Sequence, residues 1–316
     1  MAMLVYMHVE SAFASIFPVD WQTTMQLLLS LFHYHFMQNA YIAGTLVAIV
    51  AGIMGYFMVL RDQSFAGHSL ANVGFAGASG ALLFGISPVV GLFIAGVCAS
   101  IGIHTLNLTN KQGQQSDIAV GAILSASLAL GFLFLDLSTS EYGANVYNVL
   151  FGNVLGISDS DVSIIIWSTL VIVLVLACFG RPLFFASIDP VVATTRRVPV
   201  RALALLYLIL LSIEVAVAVQ VIGVLLIFSL LVTPAAIAQQ VTTRPGVAVL
   251  IAVVLALLFV WIGLAIGYVT PYPVGFFITT LAFATYVGVR IVITIRRRIE
   301  RRQLAPSSPS LVKEVA

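Results

Sequence analysis

Residues 221–240 read VIGVLLIFSLLVTPAAIAQQ, a stretch without a single charge. The hydrocarbon core of a bilayer is about 30 Å thick and takes roughly 20 apolar residues of helix to cross. In that medium every backbone N–H and C=O must find its partner within the segment, so such a stretch reads as a membrane-spanning helix. The reading spreads outward from there. The chain is nearly continuously apolar over 202–241, and comparable runs lie near 40–60, 66–85, 87–106, 117–137, 161–180, 202–219, 221–241, 246–268 and 273–293. The expected fold is an all-α polytopic membrane protein with about eight to nine transmembrane helices. The division of 202–241 sets the count.

Composition agrees. Apolar residues make up 61% of the chain and charged residues 8%, against about a quarter charged in a soluble domain. A water-soluble surface cannot be covered with so few charges, whereas lipid leaves the outer face free to stay apolar. The net charge of +2 points to no partner by itself, and no nucleic-acid partner is expected. Cys98 and Cys178 both sit in apolar runs, with no CxxC or Cys/His cluster, so neither a disulfide framework nor a structural zinc site is indicated. The first twenty residues lack a basic start and contain His8, Glu10 and Asp20. They do not read as a cleaved signal peptide.

Placement of charge orients the chain. Arg61, Lys111, Arg181, Arg196, Arg197, Arg201, Arg244 and the cluster Arg296, Arg297, Arg298, Arg301 and Arg302 fall on one side when the spans alternate. The opposite loops carry Glu141, Asp159, Asp161 and the TPYP turn at 270–273, with no Lys or Arg. Basic loops stay in the cytoplasm, so the C-terminus is expected inside a plasma or inner cell membrane, with the N-terminus outside. Three parts follow: an interfacial N-terminal segment at 1–39, a transmembrane domain at 40–293, and a basic cytoplasmic tail at 294–316 with Ser-Pro repeats that is expected to be disordered.

Polar groups inside spans are costly and mark function. His68 and Asn72 are four residues apart, hence on one face of the second span. Imidazole and amide are both candidate ligands for a divalent transition metal, or else Asn72 hydrogen-bonds a neighbouring helix and His68 sits at the interface. Glu214, in LSIEVAVAVQ, must face a partner, water or a cation, or hold an interhelical hydrogen bond. His33 and His35 precede the first span on the outer side, either to receive metal or as interfacial polar residues. His104 and Asp136 end their spans and read as interfacial. Gly67, Gly74, Gly77 and Gly80, and the pair Gly263 and Gly267, let helices approach closely.

The loop 181–201, RPLFFASIDPVVATTRRVPVR, is long for a turn between spans. Asp189 then Pro190 reads as a helix cap followed by proline at the first helical position. A short cytoplasmic helix over 189–197, ending in Arg196 and Arg197, suits docking of a soluble partner, though an interfacial helix has the same pattern. No GxxxxGK[ST] phosphate loop is present, so ATP hydrolysis, if used, belongs to another chain. The protein itself is not expected to be an enzyme.

Several motifs then converge. Val59-Leu60-Arg61 followed by SFAGHSLANVGFAG (64–77) resembles the LRR-x-S-x-x-GD-x-x-x-H-x-x-x-x-G signature of metal-type ABC transporter permeases. Residues 221–240 resemble their VGxLLxxxLLxxPAAxA stretch, IDPVVA (188–193) their DPExA loop, and YNVLFGNVLGIS (147–158) their LFGxxLxxS segment. Order and spacing agree over about residues 36–292. The resemblance implies a homodimer of permeases in the bilayer and a cytoplasmic ATPase dimer docked on the 181–201 segment. It also implies an extracytoplasmic binding protein delivering zinc, manganese or iron, and an ion that crosses between the two permease copies. No cofactor is held permanently, the metal being cargo. His68 stands where the family usually has Asp, and Asn72 where it has His. The resemblance gives both a place in the pathway, while the change removes the anionic ligand. Import of a metal chelate, an ion-gradient carrier using Glu214, and a membrane scaffold are the alternatives.

Overall fold

The computed structural model describes residues 34–109, 114–137 and 150–303. The described residues form α1 His35–Leu60, α2 Ser64–Leu83, α3 Pro88–Thr109, α4 Gln114–Leu137, a 3-10 turn Val154–Gly156, α5 Asp159–Ile188, α6 Pro190–Thr195, α7 Val200–Ile222, α8 Val224–Val241, α9 Pro245–Val269 and α10 Val274–Gln303. The fold is all-α.

Seven of these helices are long and apolar enough to cross a membrane: α1, α3, α4, α5, α7, α9 and α10. The other two long ones, α2 and α8, fall short by composition and by length. α2 is built largely of Gly, Ala and Ser, and the apolar part of α8 runs only over Leu226–Val241. Both nonetheless bridge the two ends of the bundle. α2 leaves the end where Arg61 bonds Ser187 of α5 and reaches the end where Pro88 and Asp161 line one cavity. α8 leaves Gly223, packed on Gly152, and ends where Gln239 donates to the Tyr56 carbonyl. At 1.5 Å per residue, helices of 20 and 18 residues span about 30 and 27 Å. The charge map therefore becomes two physical ends. Arg61, Arg181, Arg196, Arg197, Arg201, Arg244 and Arg296 lie at the basic end, Asp159 and Asp161 at the acidic end.

α1 and α7 are the centre: 67% of the apolar window of each is buried, against 11% for α10. α1 packs on α5, α8 and α9; α2 on α3, α4, α7 and α8; α10 covers α8 and α9. Lipid gives helices no hydrophobic reason to associate, so close van der Waals packing of small residues does the work. Gly77 of α2 and Gly91 of α3 face each other: a Cβ on Gly77 would lie 2.5 Å from the Ala95 Cβ, and one on Gly91 2.6 Å from that of Ala81. Gly263 and Gly267 seat α9 against Ile278 and Val274 of α10. Tyr207 of α7 is completely buried and donates its hydroxyl to the Met54 carbonyl of α1 at 3.0 Å. Tyr207→Phe is expected to lower stability by about 1 kcal/mol, read as a lower unfolding midpoint of the detergent-solubilised chain.

Three boundaries differ from the sequence expectation. α5 does not stop near residue 180 but continues through Pro182 to Ile188, so most of the first half of the supposed 181–201 loop is helix. Pro182 forfeits only the hydrogen bond to the Cys178 carbonyl, near the bundle's basic end. α1 begins at His35, inside the segment taken as interfacial. The polar start is accommodated because Asn39 donates to Asp159 at 2.7 Å and to the Ile157 carbonyl at 3.4 Å. α10 runs on to Gln303, past residue 293, carrying the arginines as a helix beyond the apolar stretch. His33, Lys111, Glu141, residues 1–32 and the Ser-Pro tail lie outside the described residues.

Candidate functional site

His68 and Asn72 occupy one face of α2 near its start. The Asn72 side chain is buried and its amide donates to the His68 carbonyl at 2.9 Å, with Nδ2 3.4 Å from His68 Nε2. The imidazole meets Phe228 of α8 edge-on, ring centres 5.1 Å apart. Its Nδ1 atom is enclosed and has no hydrogen-bond partner. An enclosed imidazole nitrogen without a partner costs about 1–3 kcal/mol and calls for an explanation, as do Arg61 Nε, Gln63 Oε1 and Glu214 Oε1, which are in the same state.

Glu214 of α7 is 1% exposed, the one acid buried among the described residues. Its Oε1 also lacks a hydrogen-bond partner. The stripe Tyr207, Leu211, Glu214, Ala218 repeats at helical spacing and is buried throughout. Two members of it fix where the stripe points. Tyr207 bonds α1, and Leu211 Cδ2 would lie 3.9 Å from a Cβ on Gly67 of α2. α2 and α7 both run from the basic to the acidic end, so Gly67 and Leu211 set a common depth. Glu214 is three residues beyond Leu211, while His68 and Asn72 are one and five beyond Gly67. At 1.5 Å per residue, the carboxylate residue falls in depth between the other two. By this register His68, Asn72 and Glu214 lie at a similar depth along α2 and α7. Among the described residues no three His, Cys, Asp or Glu side chains cluster tightly enough to hold a metal by themselves.

The remaining sequence candidates separate from this level. His35 of α1 meets Asp159 of α5 at 3.6 Å, both well exposed at the acidic end. His104 is half-buried in α3 and Asp136 exposed at the end of α4. Cys98 and Cys178 are free and exposed. At the acidic end a cavity of about 190 Å³ opens between Pro88, Leu92, Asn153, Asp161, Val219 and Gln220.

At the basic end, Asp189 accepts from the backbone N–H groups of Val191 (3.0 Å) and Val192 (2.9 Å), with Pro190 at the first helical position of α6. This is the cap the sequence anticipated. Ala193 is buried toward the bundle, while Val191, Val192, Thr194, Thr195, Arg196 and Arg197 face outward. One connection was not legible in the sequence. The Arg61 guanidinium lies 5.2 Å from the centre of the Tyr207 ring and donates to the Ser187 hydroxyl at 3.2 Å. Burial draws its pKa down from the ordinary arginine value. The hint was a tyrosine in the apolar run of α7, since a buried Tyr hydroxyl needs a partner. Arg61 ties the end of α1 to the stretch of α5 that leads into α6.

Residues 33–293 match the ABC 3 transport family. The chain belongs to that family. The manganese import system permease protein ScaB of Streptococcus parasanguinis is 31% identical over 272 residues, 86% of this chain and 95% of ScaB. The manganese transport system membrane protein MntC of Listeria innocua is 30% identical over 78% of this chain and 86% of MntC. Among solved structures, PsaBC from Streptococcus pneumoniae, in complex with Fab, superposes with a TM-score of 0.75 at 28% identity, covering 84% of this chain and 94% of the matched one. The chain is therefore a multi-pass membrane protein of an ABC permease family. The resemblance seen in residues 36–292 and the family match at 33–293 cover nearly the same segment.

Proposed function

We propose that this permease carries a divalent transition metal, with manganese as its first candidate cargo, across the membrane into the cell, driven by ATP hydrolysis in a separate subunit. The observation that carries the reading is the similar depth of His68, Asn72 and Glu214 within the bundle, where two enclosed polar atoms, His68 Nδ1 and Glu214 Oε1, lack hydrogen-bond partners. The manganese permeases similar to it support the choice of cargo. Zinc and iron remain within the chemistry of a nitrogen- and oxygen-donating site.

His68 and Asn72 present neutral donors to the passing ion, and Phe228 holds the imidazole edge-on from α8. The basic end is cytoplasmic, which places the C-terminus inside, and the acidic end receives metal from an extracytoplasmic binding protein. Two copies of the chain form the membrane unit. An ATPase dimer docks at the basic end on α6, through the outward face of Val191 and Val192 and through Arg196 and Arg197. Asp189 and Pro190 hold that helix in shape. Arg61 then transmits a displacement of α6 and the end of α5 to α1 and α7.

Loss of the Asp189 cap is expected to cost α6 about 1 kcal/mol, enough to loosen a helix of six residues. In the complete transporter, Asp189→Ala is expected to leave the chain inserted at normal abundance while ATP hydrolysis no longer tracks metal uptake. Uptake per ATP equal to that of the natural transporter would remove α6 from the docking surface. The cargo is tested by assaying manganese, zinc and iron uptake in membrane vesicles holding the complete transporter. Saturable, ATP-dependent uptake of one of these is expected. Uptake of a metal only as its chelate would favour the chelate reading.

A further inference from the structure

We propose that the groove between the end of α8 and the last turns of α10 binds the headgroup of an anionic phospholipid, in the leaflet that meets the basic end of the bundle. α8 stops at Val241, whereas α10 runs on to Gln303. The step between them leaves a cavity of about 740 Å³ lined by these two helices. On α10 the lining residues Val289, Val292, Ile293, Arg296 and Arg297 stand at positions i, i+3, i+4, i+7 and i+8, hence on one face of the helix. The stripe is aliphatic toward the membrane interior and cationic at its end, with about 12 Å from Val289 to Arg297 at 1.5 Å per residue. Val241 extends the aliphatic wall from α8, and Gln240 adds an amide to the lining.

Charge and shape choose the occupant. The lining holds two arginines and no acid, a positive charge that complements a phosphodiester. A guanidinium presents paired N–H donors in the geometry that phosphate oxygens accept. The aliphatic wall belongs to the helix least covered by protein, with 11% of its apolar window buried, so acyl chains of the surrounding bilayer reach it. A soluble acidic surface would meet only the water end of such a stripe, whereas a basic pocket between membrane helices suits a lipid headgroup. Gly288 also lies in the groove, and a Cβ there would meet nothing within 4 Å. Gly263 and Gly267 are held to glycine by Ile278 and Val274 across the helix contact; no such contact explains Gly288. A glycine weakens a helix interior, and here its missing side chain opens a notch for the lipid. Bound there, the lipid bridges the end of α8 to α10, the helix that covers it.

The full chain, purified in a non-ionic detergent, provides the test. Phosphatidylglycerol is the probe, phosphatidylcholine with the same acyl chains is its zwitterionic counterpart, and bound lipid is counted by native mass spectrometry across a titration. Phosphatidylglycerol is expected to bind at least tenfold more tightly, and excess inorganic phosphate, which has no chains, is expected not to displace it. Arg297→Gln is expected to weaken phosphatidylglycerol binding about fivefold, the worth of one arginine at an anionic surface. Arg298→Gln removes the same charge from the same turn but outside the groove, and is expected to leave binding within about twofold. Gly288→Leu is expected to fill the notch and lower binding of both lipids at unchanged chain abundance. Equal binding of the two lipids, or displacement by inorganic phosphate, overturns the proposal. So does an Arg298→Gln effect as large as that of Arg297→Gln, which would show a diffuse basic surface instead of a site. Should Arg297→Gln fail to accumulate, Gly288→Leu decides, and unchanged lipid binding in that folded variant overturns the assignment. Loss of the lipid when a second copy or a soluble subunit assembles on the chain would give the groove to that partner, and overturns it as well. Lipid binding depends on the membrane-spanning fold and not on the cargo, so a failure here leaves the metal-permease reading untouched.

Discussion

Replacing Gly223 with valine is expected to remove the folded protein from the membrane almost completely. Gly223 joins α7 to α8 at φ 93°, and Gly152 opposite it has φ 78°. The two backbones cross so closely that a Cβ on Gly223 would lie 2.5 Å from the Gly152 nitrogen and from the Leu150 carbonyl oxygen. A Cβ on Gly152 would lie 2.5 Å from the Ile222 carbonyl carbon. Backbone atoms have no rotamer with which to retreat. At φ 93° and ψ 157°, a region essentially confined to glycine, a side chain costs about 1–3 kcal/mol, and forcing extra volume into a packed contact adds about 1–3 kcal/mol. A β-branched residue suffers most at positive φ. Gly85 supplies the control, with φ 69° but nothing within 4 Å of the place a Cβ would take. Gly85→Ala should therefore carry only the conformational cost of about 1–2 kcal/mol. Membrane abundance of the three chains checks this: near-total loss for Gly223→Val, strong loss for Gly223→Ala, near-normal levels for Gly85→Ala. Normal levels of Gly223→Val would show that the crossing is looser than described.

His68→Ala is expected to reduce manganese uptake by on the order of tenfold to a hundredfold, the range seen when a metal ligand's supporting partner is lost, with no fall in abundance. The side chain is only half-buried, meeting Phe228 edge-on and lying 3.4 Å from the Asn72 amide nitrogen. Its removal leaves the backbone bond from Asn72 to residue 68 intact. The stability change is therefore small and the transport change large, which separates a pathway role from a packing role. Uptake at the natural rate for manganese, zinc and iron alike would take His68 out of the pathway.

Much of the fold could be read from the sequence because the lipid core imposes one length and one secondary structure on anything that crosses it. The nine long helices among the described residues follow the nine apolar runs, and the Asp189 cap with Pro190 marked α6. Ends were harder. Pro182 reads locally as a break, yet it costs a single hydrogen bond in a helix long enough to absorb it. His35 read as interfacial until Asp159, at the start of α5, is seen beside it, with Asn39 bonded to Asp159 and to the Ile157 carbonyl. At the candidate site, His68, Asn72 and Glu214 stood out as polar groups in apolar runs. Their common depth did not, because it depends on Gly67 meeting Leu211, and nothing in either segment announces that partner. Phe228 was silent for the same reason: an aromatic residue in an apolar span looks like packing until its neighbour across the helix interface is known.

The most direct test of the metal-permease reading is the metal content of cells that lack the gene, compared with cells carrying it and cells in which it has been restored, all grown at limiting metal. A fall in cellular manganese on loss of the gene is expected, reversed by the natural chain and not by the His68→Ala chain. Unchanged manganese, zinc and iron in all of these cells would contradict it.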